Sequence, residues 1–272
     1  MPTAAPPPSR SQFRFLLPPS LGVAQARARA EPLEKFLANL LQQDTEVLVA
    51  SDYDALAREL LSGRVDAAWA PPFACARVEA MGVRVLVRAV RHGAASYRSA
   101  LVTPRGSGVR LDALAGKKAV WVDRDSVAGY LLPVAYLKSK GLDPTKTFFS
   151  QRFAGSYRLA LEALFNHEAD LTSVFAASGP EAGHATGAGE ILPGRTEDLE
   201  TLAFTDASPN DGVALSVNLP PAVTEQLESA LLSLHESADG VMLLNDLFRA
   251  EKFERAGRLS YRALYHVALA SL

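Results

Sequence analysis

The stretch that decides the fold is VWVDRDSVAGYLLPVAYLKSKGLDP, Val120 to Pro144. A β-rich run from Lys118 to Asp123 halts at charged residues, and Ser126, Val127, Ala128 and Gly129 then lead into an amphipathic helix. At such a strand–loop–helix junction the first-turn amides lack carbonyl partners and can hold an anion. Ser126 suits the cap of that helix, because a serine oxygen accepts a bond from an amide one turn on. The loop carries Asp123, Arg124 and Asp125, a balanced set rather than the lysine or arginine expected of a phosphate-handling enzyme.

The same alternation extends outward in both directions. FRFLL (Phe13–Leu17) reads as a strand, and Leu33, Phe36, Leu37, Leu40 and Leu41 repeat at helical spacing after it, with Pro32 in the first turn. TEVLVA (Thr45–Ala50) is the next strand, and YDALARELLSG is a helix stopped by Gly63. VDAAWA, PFACARVEAMG and VRVLVRAV continue as strand, helix and strand up to Val90. Beyond it come the strand YRSALVT from Tyr97, a short helix LDALAGK from Leu111, the helix YRLALEALFNHE from Tyr157 and the strand ADLTSV from Ala169. Residues Gly179 to Gly194 read as an irregular surface segment. ETLAFT, a turn at Ser208–Gly212, VALSV and a helical remainder with Leu227, Leu231 and Leu234 on one stripe complete the chain. Strands alternating with helices predict an α/β fold with mainly parallel strands.

Length and composition narrow the function. A chain of 272 residues with 48% apolar content suits two lobes or one large domain with a substantial core. A net charge of −2 provides no basic footprint for nucleic acid. No run approaches the roughly 18 apolar residues of a membrane span. Cys75 is the one cysteine, in an apolar run, which excludes an intrachain disulfide and a cysteine metal cluster. The first twelve residues are rich in proline and alanine, read as a disordered tail, and lack the apolar core of a secretory signal. A complete chain would then remain in the cytoplasm.

Candidate chemistry is sparse. Ser126 has no G-x-S-x-G setting. His92, His167, His184, His235 and His266 lie far apart without metal-ligand spacing, and no cofactor motif is present. Asp123 and Asp125 read as a turn leading into the helix. No residue is assigned a catalytic role, and no metal or cofactor is expected.

The order of motifs resembles the phosphonate-binding (PhnD-type) substrate-binding proteins of ABC transporters. It is carried by YDALARELLSGRVDAAWAPP, YRSALVTPRGSGVRLDALAGKKAVWVDRDSVAGYLLP, AGSYRLALEALFNHEADL and SPNDGVALS. The resemblance implies a type II periplasmic-binding-protein fold: two α/β lobes joined by two hinge strands, with the ligand in the cleft between them. Lobe one would comprise residues 13–103 and 205–272, lobe two residues 104–204, and the hinges ALVT and AFT. It also implies a periplasmic location, a small-molecule ligand, and an ABC permease or a sensory partner.

Carried over by resemblance, the ligand-binding positions are Tyr53, Tyr97, the loop Ser126, Val127, Ala128 and Gly129, then Ser156, Tyr157 and Asp211. Departures accompany them. Val127 and Ala128 replace hydroxyl residues, Ser156 and Tyr157 stand where the family often has a histidine, and Ala177 falls near a glutamate that receives an aminophosphonate's ammonium. With Phe175, these changes imply a larger or less polar ligand than aminoethylphosphonate. The function implied is binding of a small phosphonate- or phosphate-like solute for transport or sensing. The alternative is an enzyme or biosynthetic protein on the same scaffold.

Overall fold

The computed structural model describes residues 12–18, 23–178 and 185–271. The tail expected over the first twelve residues falls outside these, apart from Gln12, which opens the first strand.

The first sheet is built from β1 (Gln12–Leu17), β2 (Asp44–Val49), β3 (Ala67–Ala70) and β4 (Val85–Val90), interleaved with α1 (Val23–Leu41), α2 (Tyr53–Leu61) and α3 (Pro72–Ala80). Successive residues of a strand face opposite sides, and the core follows that rule. Phe13, Phe15 and Leu17 enter one apolar cluster with Leu33, Leu37 and Trp69. Leu16 enters the other, with Leu56, Leu60 and Ala68. Helices therefore cover both faces. Helix α1 starts earlier than its apolar stripe suggests, so Pro32 lies inside it rather than in its first turn.

The second sheet is centred on β5 (Ser96–Pro104), which pairs antiparallel with β8 (Thr172–Ala177), β9 (Leu199–Phe204) and β10 (Ser208–Pro209). Beside it, β6 (Lys118–Trp121) and β7 (Ser150–Phe153) run parallel, and Ala119 bridges to Leu171 at the entry to β8. Around them lie α4 (Leu132–Ser139), α5 (Pro144–Thr147), α6 (Tyr157–Phe165) and α7 (Thr186–Ile191). Helix α7 corrects the later part of the segment read as irregular; residues 179–184 of that segment lie outside the described ones. Gly187 makes the helix possible, since a Cβ there would stand 2.7 Å from the Phe175 carbonyl of β8. The short helix from Leu111 is only one turn, Leu111–Ala113.

The chain then returns to the first sheet as β11 (Gly212–Leu215), followed by α8 (Pro221–Ser233), α9 (Ala238–Leu243), β12 (Lys252–Arg255) and α10 (Arg262–Ser271). The strand order is β12-β4-β11-β3-β1-β2. Only the pairs among β1, β2 and β3 are parallel. The returning β11 inserts antiparallel between β3 and β4, and β12 adds antiparallel at the edge. The expectation of mainly parallel strands fails because one strand of the first sheet comes back from the second. No described helix is long and apolar enough to cross a membrane.

The chain crosses between sheets twice, between β4 and β5 and between β9 and β11. The segments ALVT and AFT, expected to be the hinges, sit inside the second sheet, where Ala100 pairs with Phe204. Ala100 and Val102 are packed against Leu161 and Val174. The turn expected at Ser208–Gly212 is an extended crossing. Its centre is Asn210, 1% exposed, whose amide side chain donates to the carbonyls of Ala89 and Ala94 at 3.0 Å each. Its backbone N–H donates to Ala95 O at 3.0 Å, and its own carbonyl accepts from the Tyr261 hydroxyl at 2.5 Å.

Replacing this side chain removes both of its hydrogen bonds; Ala94 O keeps the Arg91 N–H at 2.8 Å, so the loss falls mainly on Ala89 O. Asn210→Ala is therefore expected to lower unfolding stability by about 1–3 kcal/mol. Urea melts followed by circular dichroism would show it, and an unchanged midpoint would contradict the role assigned to Asn210.

Candidate functional site

Between the two sheets lies a chamber of about 610 Å³. Four helix starts converge on it, each for a local reason. Helix α2 is capped by Asp52, whose Oδ1 accepts the Ala55 N–H at 2.6 Å, and this places Tyr53 on the wall. Helix α3 begins at Pro72, with Pro71 at its cap position, Phe73 and Ala74 on the wall and Arg77 a turn further on. Helix α6 is capped by Ser156, whose Oγ accepts the Leu159 N–H at 3.2 Å, which presents Tyr157. The fourth start is the Ser126 loop.

That loop is held from several sides. Ser126 Oγ accepts the Gly129 N–H at 3.1 Å and lies 3.3 Å from the Tyr157 hydroxyl. The Leu131 N–H reaches back to Ser126 O at 3.0 Å, so α4 is entered through a wide turn one residue looser than an α-helical one. The Ser99 hydroxyl donates to Ala128 O at 2.6 Å, tying the turn to β5. Gly129 is needed for close approach: a Cβ there would stand 2.5 Å from Val122 Cβ and 2.6 Å from Ser126 Oγ.

Eight of the nine sequence-derived positions line this chamber: Tyr53, Tyr97, Ser126, Val127, Ala128, Ser156, Tyr157 and Asp211. Gly129 does not. It packs behind the wall, and its amide, expected to face an oxyanion, is taken by Ser126 Oγ. As first-turn residues Val127 and Ala128 have no intrahelical acceptor, and the same holds for Phe73 and Ala74. Arg77, Phe73 and the Pro71–Pro72 pair were not singled out in the sequence. The signal was present in proline at a helix start, but nothing along the chain indicates which cavity that helix faces. Phe175 and Ala177 line an adjoining chamber instead.

The charges of the inner wall are paired, and the rim is acidic. Arg77 is ion-paired with Asp54. Asp211 is ion-paired with Arg91, which also donates to Arg249 O at 2.7 Å and Phe248 O at 2.9 Å. Asp123 and Asp125 are exposed on the rim, where the Asp125 N–H donates to Asp123 Oδ1 at 2.9 Å. Partial burial raises the Asp125 carboxyl above its ordinary range, helped by Asp123 and Asp54 and opposed by Arg77. Burial pushes the Tyr97 phenol well up and the Tyr157 phenol up to about 12. Both tyrosines stay protonated near neutral pH and so remain hydroxyl donors. Cys75 and Glu79 are held in the fold behind this wall: the thiol is fully buried, and Glu79 accepts the Tyr261 N–H at 2.8 Å.

Two sheets, two chain crossings and a chamber walled from both sides define a two-lobed solute-binding protein of the type II periplasmic-binding-protein fold. The chain belongs to the periplasmic phosphonate substrate-binding proteins of ABC transporters, whose sequence model matches residues 15–261. It is 26% identical over 223 residues to the phosphate-import protein PhnD of Mycolicibacterium smegmatis, covering 78% of this chain and 68% of that one. Among solved structures it is similar to a Xanthomonas citri protein bound to ATP, with TM-score 0.79, 19% identity, and 96% and 97% of the two chains covered. It is also similar to a PhnD protein of Prochlorococcus marinus in complex with methylphosphonate, with TM-score 0.75, 16% identity, and 96% and 99% covered.

Ser126→Ala removes the cap acceptor and should cost about 0.5–2 kcal/mol of stability, whereas Ser126→Gly should cost only a few tenths. Thermal or urea melts of both variants give the comparison. Equal losses would mean that the hydroxyl does not cap this helix.

Proposed function

We propose that this protein binds a small phosphonate- or phosphate-like oxyanion in the chamber beside Ser126, for transport or sensing. The observation that carries the reading is the convergence of four helix starts on one cavity. Each presents positive partial charge and unpaired first-turn amides. The hydroxyls of Tyr53, Tyr97, Tyr157 and Ser126 surround the same space. Val127 and Ala128 contribute backbone only, which lowers selectivity, because each absent charge-assisted hydrogen bond forfeits about 1.5–3 kcal/mol. The Prochlorococcus relative's methylphosphonate and the Mycolicibacterium relative's phosphate agree in chemistry with such a cavity. The ATP of the Xanthomonas relative suggests that the fold accepts more than one ligand size.

We place the lobe boundaries at the crossings, residues 91–95 and 205–211, rather than at Thr103, because β5 belongs to the second core along most of its length. Closure would then bend short segments and leave both cores intact. The protein acts by binding and closing rather than by catalysis. Among the described residues the Ser126 hydroxyl meets the Gly129 amide and the Tyr157 hydroxyl, with no histidine beside it to serve as a base. An ABC permease or a sensory protein would be the partner that reads the closed form.

Calorimetry with inorganic phosphate and methylphosphonate is expected to give dissociation constants below about 100 µM, corresponding to more than roughly 5.5 kcal/mol. Ser126→Gly should weaken both about tenfold at near-wild-type melting temperature. Small-angle scattering at saturation should show a smaller radius of gyration. Absence of binding at millimolar concentration would overturn the reading.

A further inference from the structure

Arg77 lines the chamber beside Ser126 and, among the described residues, is the one lysine or arginine on its wall. We propose that Arg77 grips the bound oxyanion directly, and that Asp54 holds this grip down by competing for the same guanidinium. This inference rests on the oxyanion reading of the chamber and concerns what sets its strength.

Three observations carry it, and the first is spare donor capacity. A guanidinium presents five N–H groups in a planar fork that matches an oxyanion. Arg77 donates from Nη1 to Asp54 and makes no other hydrogen bond among the described residues. The neighbouring arginines are committed elsewhere. Arg91 is paired with Asp211 and donates to two backbone carbonyls, and the Arg124 guanidinium lies 5.1 Å over the Phe153 ring.

The second observation is position. Phe73 stands one turn before Arg77 on α3, and Arg77 Cζ lies 5.9 Å from the centre of its ring. That ring is on the chamber wall, so the guanidinium is held beside the wall. The charge of Arg77 is also felt across the cleft, where it opposes the rise that burial causes in the Asp125 carboxyl. Asp125 immediately precedes Ser126, so Arg77 acts on the loop that would hold the oxyanion.

The third observation is the weakness of the existing pair. Asp54 lies in the first turn of α2, and its side chain is 59% exposed against 35% for Arg77. An ion pair so open to water contributes little, so an oxyanion in the chamber can share the guanidinium at small cost. Asp54 stays beside it, and Arg77 therefore adds donors to the site with little net charge.

The test is calorimetry with inorganic phosphate and methylphosphonate on the full chain, repeated with Arg77→Gln, Asp54→Asn and the double variant. Either single change breaks the same ion pair, so a merely structural pair would shift both variants alike. Opposite shifts are expected here. Arg77→Gln should weaken both ligands about tenfold or more through lost charge-assisted bonds. Arg77→Lys, which keeps the charge without the fork, should fall between and carries the comparison if the glutamine variant does not fold. Asp54→Asn should tighten both ligands about two- to fivefold. That gain should vanish in the double variant when compared with Arg77→Gln alone. Unchanged affinity without Arg77, single variants that shift the same way, or an Asp54→Asn gain that survives in the double variant would overturn this inference while the oxyanion site stands. Failure of the wild type to bind either ligand at millimolar concentration would overturn both.

Discussion

Asn210 is the constraint on which the rest of the molecule depends. The first crossing makes a tight turn bridged from Arg91 to Ala94, the second runs extended beside it, and Asn210 ties the two together. Its side chain donates to Ala89 O near the end of β4 and to Ala94 O in the turn, and its backbone donates to Ala95 O. An unpaired buried carbonyl is costly, so the crossings are held side by side at one depth. The neighbouring Arg91–Asp211 pair and the Tyr261 hydroxyl add to the same junction. Everything that faces the cleft is positioned relative to it.

That junction also explains the character of the cavity. Since the crossing contributes an ion pair rather than a free cation, attraction for an anion has to come from elsewhere. In the function proposed above, it would come from backbone dipoles at four helix starts and from phenols that burial keeps protonated. Such a site selects by geometry and donor count more than by net charge, which suits a protein that must release what it binds.

The local elements around the site were legible because each depends on neighbouring residues. Ser126 caps its helix as its position suggested, and the run Phe13–Leu17 forms the strand its composition predicted. Other elements were hidden for physical reasons. The strand Ser150–Phe153 is exposed along its length and carries no apolar alternation to announce it. The edge strand Lys252–Arg255 buries only Phe253 deeply. Helix α7 exists because Gly187 lets it lie against β8, a contact no local pattern encodes.

By itself the sequence determined the alternating α/β elements and the Ser126 cap with its loop, because hydrophobic period and capping act over a few neighbours. Only the tertiary structure decided that β11 inserts antiparallel between β3 and β4, that β5 belongs to the second core, and that Gly129 stands behind the wall rather than on it. It also decided that Arg77 and Phe73 join the chamber. Those outcomes turn on which distant strands pair and how closely backbones approach, and pairing energies between residues separated by a hundred positions leave no periodic trace in the chain.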